Sequence, residues 1–143
     1  MKTKCICVVV CIFLLAALLP AHLNAEESKK SNDDKLAVLW TSGDPDVANR
    51  MVFMYTHYAK KMRWFKDVTL IVWGPSQHLL LTDKGLQKKL KAMQDDGVVV
   101  EACIACAMSY GIVDDLKNLG ITVKGMGEPL SNYLKSGWKV LTF

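Results

Sequence analysis

Cysteine is scarce outside the first 25 residues of this 143-residue chain. Three of the five cysteines fall within the amino-terminal apolar run, and only Cys103 and Cys106 follow it. Two cysteines are too few for a disulfide-stapled scaffold, so we expect the fold to be stabilised by a hydrophobic core. The small disulfide-rich class of secreted domains is therefore excluded.

A strong net charge is also missing. The formal charge is +4, and removal of residues 1–25 takes away two lysines and no acidic residue, which leaves +2. A value so near neutrality gives no support for nucleic-acid binding, so we expect no nucleic-acid partner. The lysines of "KGLQKKLKAMQDDG" alternate with apolar residues at helical spacing, which predicts a solvated helix face.

Histidine is too rare, and wrongly spaced, for the common metal motifs. Of the three histidines, only His57 and His78 lie beyond residue 25; both precede the cysteines and they do not form a spaced pair. Ala107 follows Cys106 where c-type haem attachment requires histidine. We therefore predict no metal and no cofactor.

The amino terminus has the three-part layout of a secretory signal. Lys2 and Lys4 precede an apolar run from Cys5 to Leu19, and "AHLNA" follows it. We predict a signal peptide over residues 1–25, cleaved after Ala25, and a periplasmic or secreted protein. Leu23 is larger than the residue usual three positions before a cleavage site, so an uncleaved membrane anchor is the alternative. Membrane contact is expected only through this segment, and residues 26–34 are predicted to be a flexible leader.

From residue 35 to residue 143, short apolar runs alternate with amphipathic segments. Strands are predicted at 35–40, 68–73, 98–102, 121–123 and 138–143, with helices between them. Asp44 before Pro45 predicts a capped helix start. This alternation predicts one domain, an α/β fold whose three-layer α/β/α sandwich has a mostly parallel sheet of about five strands.

Two helical stripes are predicted to pack against the sheet. The first comprises Val47, Met51, Met54, Tyr58 and Met62, whose methionines we assign to core packing rather than to metal binding. The second marks one continuous third helix and comprises Ala105, Met108, Ile112, Leu116 and Leu119.

The C-x-x-C pair falls at the end of the third predicted strand. Ligands of such sheets lie outside the carboxyl ends of the strands, so the topology alone puts Cys103 and Cys106 at the functional edge. The following helix start favours a thiolate, which can attack a disulfide or a sulfane sulfur, and the second thiol can resolve the product. Glu101 shares a face with Cys103, where its charge opposes thiolate formation.

Other polar residues lie on the neighbouring strand-to-helix turns. We predict that these residues line the same cleft and bind substrate: Ser42, Gly43, Ser76, Gln77 and His78. Turn formation and capping explain several of them equally well. Trp73 and Tyr110 are candidates for the pocket wall, although Trp73 also fits a core position.

Alternatives to a reactive sulfur carrier stay open at this point. One alternative is a structural disulfide in a non-enzymatic domain that binds a small ligand or a partner. It also fits a dithiol oxidoreductase. A bridge across so short a loop constrains the unfolded chain little, which argues against the purely structural interpretation.

Three segments resemble the DsrE/DsrF-like family, which includes sulfur-relay proteins: "LWTSGDPDVANRMVFMYTHYAKKM", "TLIVWGPSQHLLLTDKGLQKKLKAM" and "GVVVEACIACAMSYGI" with the closing "GWKVLTF". The most specific motif is "CIACAMSYG", with a cysteine after the third strand and a glycine, Gly111, that opens the next segment. The resemblance covers about residues 35–143.

The resemblance implies that Cys103 carries sulfur as a persulfide, and we expect Cys106 to act as the resolving thiol. It further implies sulfur donor and acceptor proteins or small sulfane compounds as partners, and a homo-oligomer, either a trimer or a hexamer. The relay proteins are cytoplasmic and often have a small residue in place of Cys106. For an exported chain, sulfur relay to tRNA is rejected.

Overall fold

The computed structural model describes residues 34–143, which form one compact α/β unit. The predicted signal peptide and all but the last residue of the predicted leader lie outside the described residues. The five strands are β1 (Lys35–Trp40), β2 (Asp67–Val72), β3 (Val99–Cys103), β4 (Thr122–Lys124) and β5 (Lys139–Thr142). The helices are α1 (Pro45–Val47), a π-helical segment (Ala48–Phe53), α2 (Met54–Lys61), α3 (Pro75–Thr82), α4 (Lys84–Asp95), α5 (Ile104–Tyr110), α6 (Val113–Asn118) and α7 (Gly127–Lys135).

All neighbouring strands of the sheet run parallel, in the order β4-β3-β2-β1-β5. The predicted α/β/α class is therefore confirmed, with a sheet that is parallel throughout. Because the strands run in one direction, their carboxyl ends meet at a single edge. In the β3–β4 register, Cys103 lies opposite Lys124.

The two faces of the sheet are covered unequally. On one face, α1 to α6 pack over a large apolar core that includes Leu36, Val38, Leu70 and Val100. The opposite face carries a smaller cluster, whose buried members are Ala37, Ile71, Cys103 and Met126. Residues of α7 and the segment after it complete that smaller cluster. The cysteine pair thus belongs to the thinner layer.

The start of the first helix follows its predicted cap. Asp44 has extended backbone angles, and its Oδ1 accepts from the backbone N–H groups of Asp46 at 2.7 Å and Val47 at 3.0 Å. These bonds satisfy two of the amide groups that a helix start leaves without an intrahelical partner. Pro45 occupies the first helical position, where its missing N–H costs nothing.

The predicted core role of the first methionine stripe is wrong. Met51, Met54, Tyr58 and Met62 are each about half exposed, between 48% and 57%. Small residues face the sheet instead, and the buried members of this stretch are Ala48, Val52, Phe53, Thr56 and Ala59. Alanine and threonine let the helix approach the sheet closely, and the wider π-helical turn brings both Val52 and Phe53 inward.

The predicted continuous third helix is also wrong. The chain forms α5 and α6 as separate short helices, because Gly111 ends α5 with a left-handed backbone, φ +68°. Glycine adopts this conformation without the steric cost of a Cβ atom. Met108, which the prediction placed on the inner stripe, lies on α5 and is 67% exposed.

The revised inner stripe predicts different costs for two substitutions on the same helix. Val52→Ala removes two fully buried methyl groups and should lower the free energy of unfolding by about 2 kcal/mol. Met54→Ser, on the exposed face, should change it by less than about 0.5 kcal/mol. Urea denaturation of both variants measures the difference, and equal losses would contradict the assigned faces.

Candidate functional site

The two cysteines lie where β3 gives way to α5. Cys103 is the last residue of the strand and the N-cap of the helix, and its side chain is only 4% exposed. Cys106 lies in the first turn of α5 and is partly exposed. Both are free thiols. The pair therefore combines one buried and one accessible sulfur at the carboxyl edge of the sheet.

The two sulfur atoms interact directly. Burial is the largest of the effects that raise the pKa of Cys106, followed by negative charge on Cys103 and by a hydrogen bond between the two side chains. The indole N–H of Trp73 and the backbone N–H of Gly74 donate toward the Cys106 sulfur and oppose that rise only in part. Together these effects favour the protonated form of Cys106.

These donors come from a different element than the sequence suggested. The start of α5 was expected to stabilise a thiolate, but the helix has only seven residues and the Cys103 side chain makes no capping hydrogen bond. Both donors belong instead to the β2–α3 turn, where Gly74 adopts φ +71°. The sequence placed Ser76, Gln77 and His78 on this turn and made Trp73 a candidate for the pocket wall, but it did not predict that Trp73 and Gly74 would donate to a sulfur.

Two of the predicted substrate-binding residues are buried and form hydrogen bonds to the backbone instead. Gln77 Nε2 donates to the carbonyl oxygens of Val72 at 3.1 Å and of Cys103 at 2.9 Å. Ser76 Oγ donates to the carbonyl oxygen of Trp40 at 2.7 Å and accepts from the N–H of Trp73 at 3.0 Å. Both side chains have no exposed surface, so they hold the turn and the strand ends in place.

A cavity of about 400 Å³ opens at the same edge of the domain. Two of the predicted residues, Gly43 and His78, line it together with Tyr110. Tyr110 lies one turn beyond Cys106 on α5, and its ring centre is 6.2 Å from that of His78. Ser42 is not part of the lining, since its hydroxyl accepts from the N–H of Asp44 at 3.1 Å and caps the turn. Neither cysteine lines the cavity, and Tyr110 is the lining residue that shares a helix with Cys106.

Glu101, which was expected to repel a thiolate, is held in an ion pair. Its carboxylate is 6% exposed and lies 2.6 Å from Lys124 Nζ. The hydroxyl of Tyr133 donates to the other carboxylate oxygen at 3.2 Å. Burial raises the pKa of Tyr133, which keeps this donor protonated at neutral pH. The local negative charge is therefore compensated two residues before Cys103.

Neither a metal cluster nor a membrane span is found between residues 34 and 143. No group of three or more His, Cys, Asp or Glu side chains in this region is arranged to hold a metal ion. No helix within it is long and apolar enough to cross a bilayer.

Comparison with known proteins relates the whole described domain to one family. The model of the DsrE/DsrF-like family matches residues 34–143. A solved structure of a conserved protein of unknown function, BT1422 from Bacteroides thetaiotaomicron, is 39% identical, with a TM-score of 0.74 over 77% of this chain and 95% of that chain. The ychN protein of E. coli shares the fold at 19% identity, with a TM-score of 0.54 over 77% of this chain and 99% of that chain. A search of curated proteins gave no match.

The indole donor predicts a measurable change in the acidity of Cys106. In a Cys103→Ser background, Trp73→Phe removes the N–H that favours the Cys106 thiolate, so the pKa of Cys106 should rise. Alkylation rates of Cys106 followed by peptide mass mapping should therefore shift to higher pH. Trp138→Phe is the matched control, and an equal shift there would remove Trp73 from the site.

Because Lys124 compensates the charge of Glu101, replacing Lys124 should lower the free energy of unfolding more than replacing an exposed lysine does. Lys124→Met leaves a buried carboxylate without its cation and should lower the free energy of unfolding by about 2–3 kcal/mol. Adding Glu101→Gln should recover most of that loss, because the uncompensated charge is gone. Lys117→Met, which breaks an exposed pair with Asp114, should cost less than about 0.5 kcal/mol. Urea denaturation compares the three variants, and equal losses for the two lysines would contradict the buried pair.

Proposed function

The chain belongs to the DsrE/DsrF-like family, and on that premise we propose that it accepts sulfane sulfur as a persulfide on Cys103, with Cys106 as the resolving thiol. Membership is consistent with sulfur relay at the level of the family. The observation that carries the finer proposal is the contact between the two free thiols at the carboxyl edge of the sheet.

The first step is sulfur transfer to Cys103. The Cys103 thiolate attacks the outer sulfur of a sulfane donor such as a hydropolysulfide, forming a new S–S bond. The S–S bond of the donor breaks, and the donor leaves as a thiolate or a shortened polysulfide. Cys106 supports this step because its thiol proton is retained and can stabilise negative charge on Cys103.

The second step sends the bound sulfur onward. In one route, an acceptor thiolate attacks the outer sulfur, which regenerates the Cys103 thiolate. Alternatively, Cys106 attacks the inner sulfur of the persulfide and releases hydrosulfide. In that case the two thiols lose two electrons and form a disulfide, while the sulfane sulfur gains them and becomes sulfide.

The donors around Cys106 support a persulfide intermediate. An outer sulfur on Cys103 would be one bond length from a sulfur that already contacts Cys106, close to the N–H groups of Trp73 and Gly74. Hydrogen bonds to a charged acceptor are stronger than those between neutral groups, so these donors would favour a persulfide anion. We assign the cavity lined by Gly43, His78 and Tyr110 to the incoming sulfur compound.

Location and assembly complete the proposal. We propose an exported protein whose partners are sulfur donor and acceptor proteins or small sulfane compounds. We further propose a homo-oligomer, a trimer or a hexamer, in which the thinly covered sheet face takes part. Exposed apolar residues on that side support an interface: Val99 at 52% and Leu134 at 63%.

A dithiol oxidoreductase is the second candidate function. The same contact between two free thiols would allow Cys103 and Cys106 to cycle between dithiol and disulfide without carrying sulfur. The two functions differ in one observable, which is the gain of a sulfur atom.

The intact mass of the protein after exposure to polysulfide distinguishes the sulfur carrier from the dithiol oxidoreductase. The wild-type chain and Cys106→Ser should gain one or more reductant-labile sulfur atoms, mapped by peptide mass to Cys103. Cys103→Ser should lose that gain, and the persulfide should last longest in Cys106→Ser because no resolving thiol is present.

Other outcomes identify the alternatives. A Cys103–Cys106 disulfide in the wild-type chain, together with no sulfur gain in Cys106→Ser, would favour the oxidoreductase. A sulfur adduct that maps to Cys106 and survives in Cys103→Ser would reverse the two roles. If neither an adduct nor a disulfide formed, the remaining candidate would be a domain that only binds a ligand.

A further inference from the structure

A cluster of cations lies at the edge of the domain opposite to the cysteines. Lys60, Lys61, Arg63 and Lys66 line a cavity of about 420 Å³, together with Phe65 and Asp96. These residues occupy the end of α2, the turn into β2 and the end of α4. Helices that lead into parallel strands end where those strands begin, so the cavity lies at the amino edge of the sheet.

The positive charge of this cavity is largely uncompensated. Its one carboxylate, Asp96, lies 2.6 Å from the imidazole Nε2 of His57. Lys60 Nζ donates to the carbonyl oxygen of Lys66 at 2.7 Å. Among residues 34–143, no carboxylate forms a salt bridge with Lys61, Arg63 or Lys66. The cavity therefore offers several cationic groups to an anion.

Arg63 occupies a backbone conformation that normally selects glycine. It is the one non-glycine residue with positive φ between residues 34 and 143, at +58°, and it follows the end of α2. A side chain in the left-handed region is strained, and glycine would end the helix there more cheaply. An arginine at this position adds charge to the cavity at a cost in stability, which points to a role in binding.

Exposed apolar side chains adjoin the cations. Met62 is 57% exposed and Trp64 is 55% exposed, and they flank Arg63 in the chain. Cations beside exposed apolar and tryptophan side chains are typical of surfaces that bind an anionic membrane.

We propose that this basic and aromatic edge docks on an anionic phospholipid membrane, with the head-group phosphate in the cavity of Lys60, Lys61, Arg63 and Lys66. Charge complementarity selects an acidic lipid, and Met62 and Trp64 enter the interfacial layer. The cysteine edge then faces away from the lipid, toward soluble partners.

The position at which the chain enters the domain supports this orientation. The N–H of Lys66 donates to the carbonyl oxygen of Asp34 at 2.8 Å, so the first described residue joins the domain beside the cation cluster. In the alternative in which the apolar run from Cys5 to Leu19 is an uncleaved anchor, the chain leads from the membrane into the domain at this edge.

Vesicle binding of residues 32–143 tests the proposal without the apolar run. These residues form a compact unit, and the solved BT1422 chain consists almost wholly of the matching region. Co-sedimentation should show binding to vesicles that contain phosphatidylglycerol and weak binding to phosphatidylcholine alone. Each cation near an anionic surface contributes about fivefold in the partition coefficient, so Lys61→Ser with Arg63→Ser should lower it by about 25-fold.

A matched pair of substitutions controls for net charge. Lys84→Ser with Lys88→Ser removes the same charge from exposed positions on α4 and should change the partition coefficient by less than about twofold. An equal loss in both double variants, equal binding to both kinds of vesicle, or no binding to either would overturn the proposal. Binding of inorganic phosphate in calorimetry without any vesicle binding would also overturn it, because the anion would then be soluble.

Arg63→Gly separates binding from stability. The variant relieves the strained backbone and should raise the melting temperature by about 4 °C, because about 1 kcal/mol of strain is lost. The same variant should weaken binding to the phosphatidylglycerol vesicles by about fivefold. A variant that is stabilised and binds with unchanged affinity would remove Arg63 from the site.

Discussion

The side-chain amide of Gln77 is the interaction on which the geometry of the candidate site depends. Pairing between β2 and β3 ends with Val72 opposite Ala102. One amide nitrogen then donates to the carbonyl oxygens of Val72 and Cys103, which ties the two strand ends together beyond the sheet. This bridge fixes Cys103 beside the turn that carries Trp73 and Gly74. Because a buried carbonyl without a partner is costly, the chain has little freedom to separate the thiols from their donors.

The carboxylate that shares a sheet face with Cys103 is compensated by its neighbours. Glu101 would repel a thiolate on the same sheet face if it stood alone. Lys124 and Tyr133 hold its carboxylate, and the lysine reaches it from the strand position opposite Cys103. The sheet register therefore places the compensating cation next to the residue that needs it. Negative charge that develops on a sulfur, as thiolate or persulfide, meets the N–H donors of the β2–α3 turn rather than an uncompensated carboxylate.

Much of the fold could be predicted because apolar strands and capped helix starts are local signals. Asp44 before Pro45 marked a helix start, and strand alternation put Glu101 and Cys103 on one face. The inward face of the first helix could not be read from hydrophobicity, since alanine and threonine pack there while the methionines point outward. A π-helical turn changes the helical period itself, and no residue type signals it reliably.

The candidate site was predictable only in part, because the sequence indicates which residues lie on the turns but not which way their side chains face. Topology alone brings the turn after β2 and the C-x-x-C after β3 to one edge, so the cysteines and His78 were accessible to sequence reasoning. The roles of Ser76 and Gln77 were not, because a polar residue on a turn looks the same whether it faces solvent or the backbone. Their burial depends on the close approach of β1, β2 and β3 at that edge, which is a tertiary property.

The unequal covering of the sheet bears on how a buried sulfur can react. Cys103 faces the thin layer, where Trp73, Met126 and Cys106 enclose it, instead of the large core under α1 to α6. A sulfur in the large core would be sealed by several helices, whereas one in the thin layer is separated from solvent by a few side chains. Cys106 is the partly exposed member of that enclosure and contacts Cys103 directly. Burial of the first sulfur and access through the second are thus two consequences of one feature, the single helix that covers this face of the sheet.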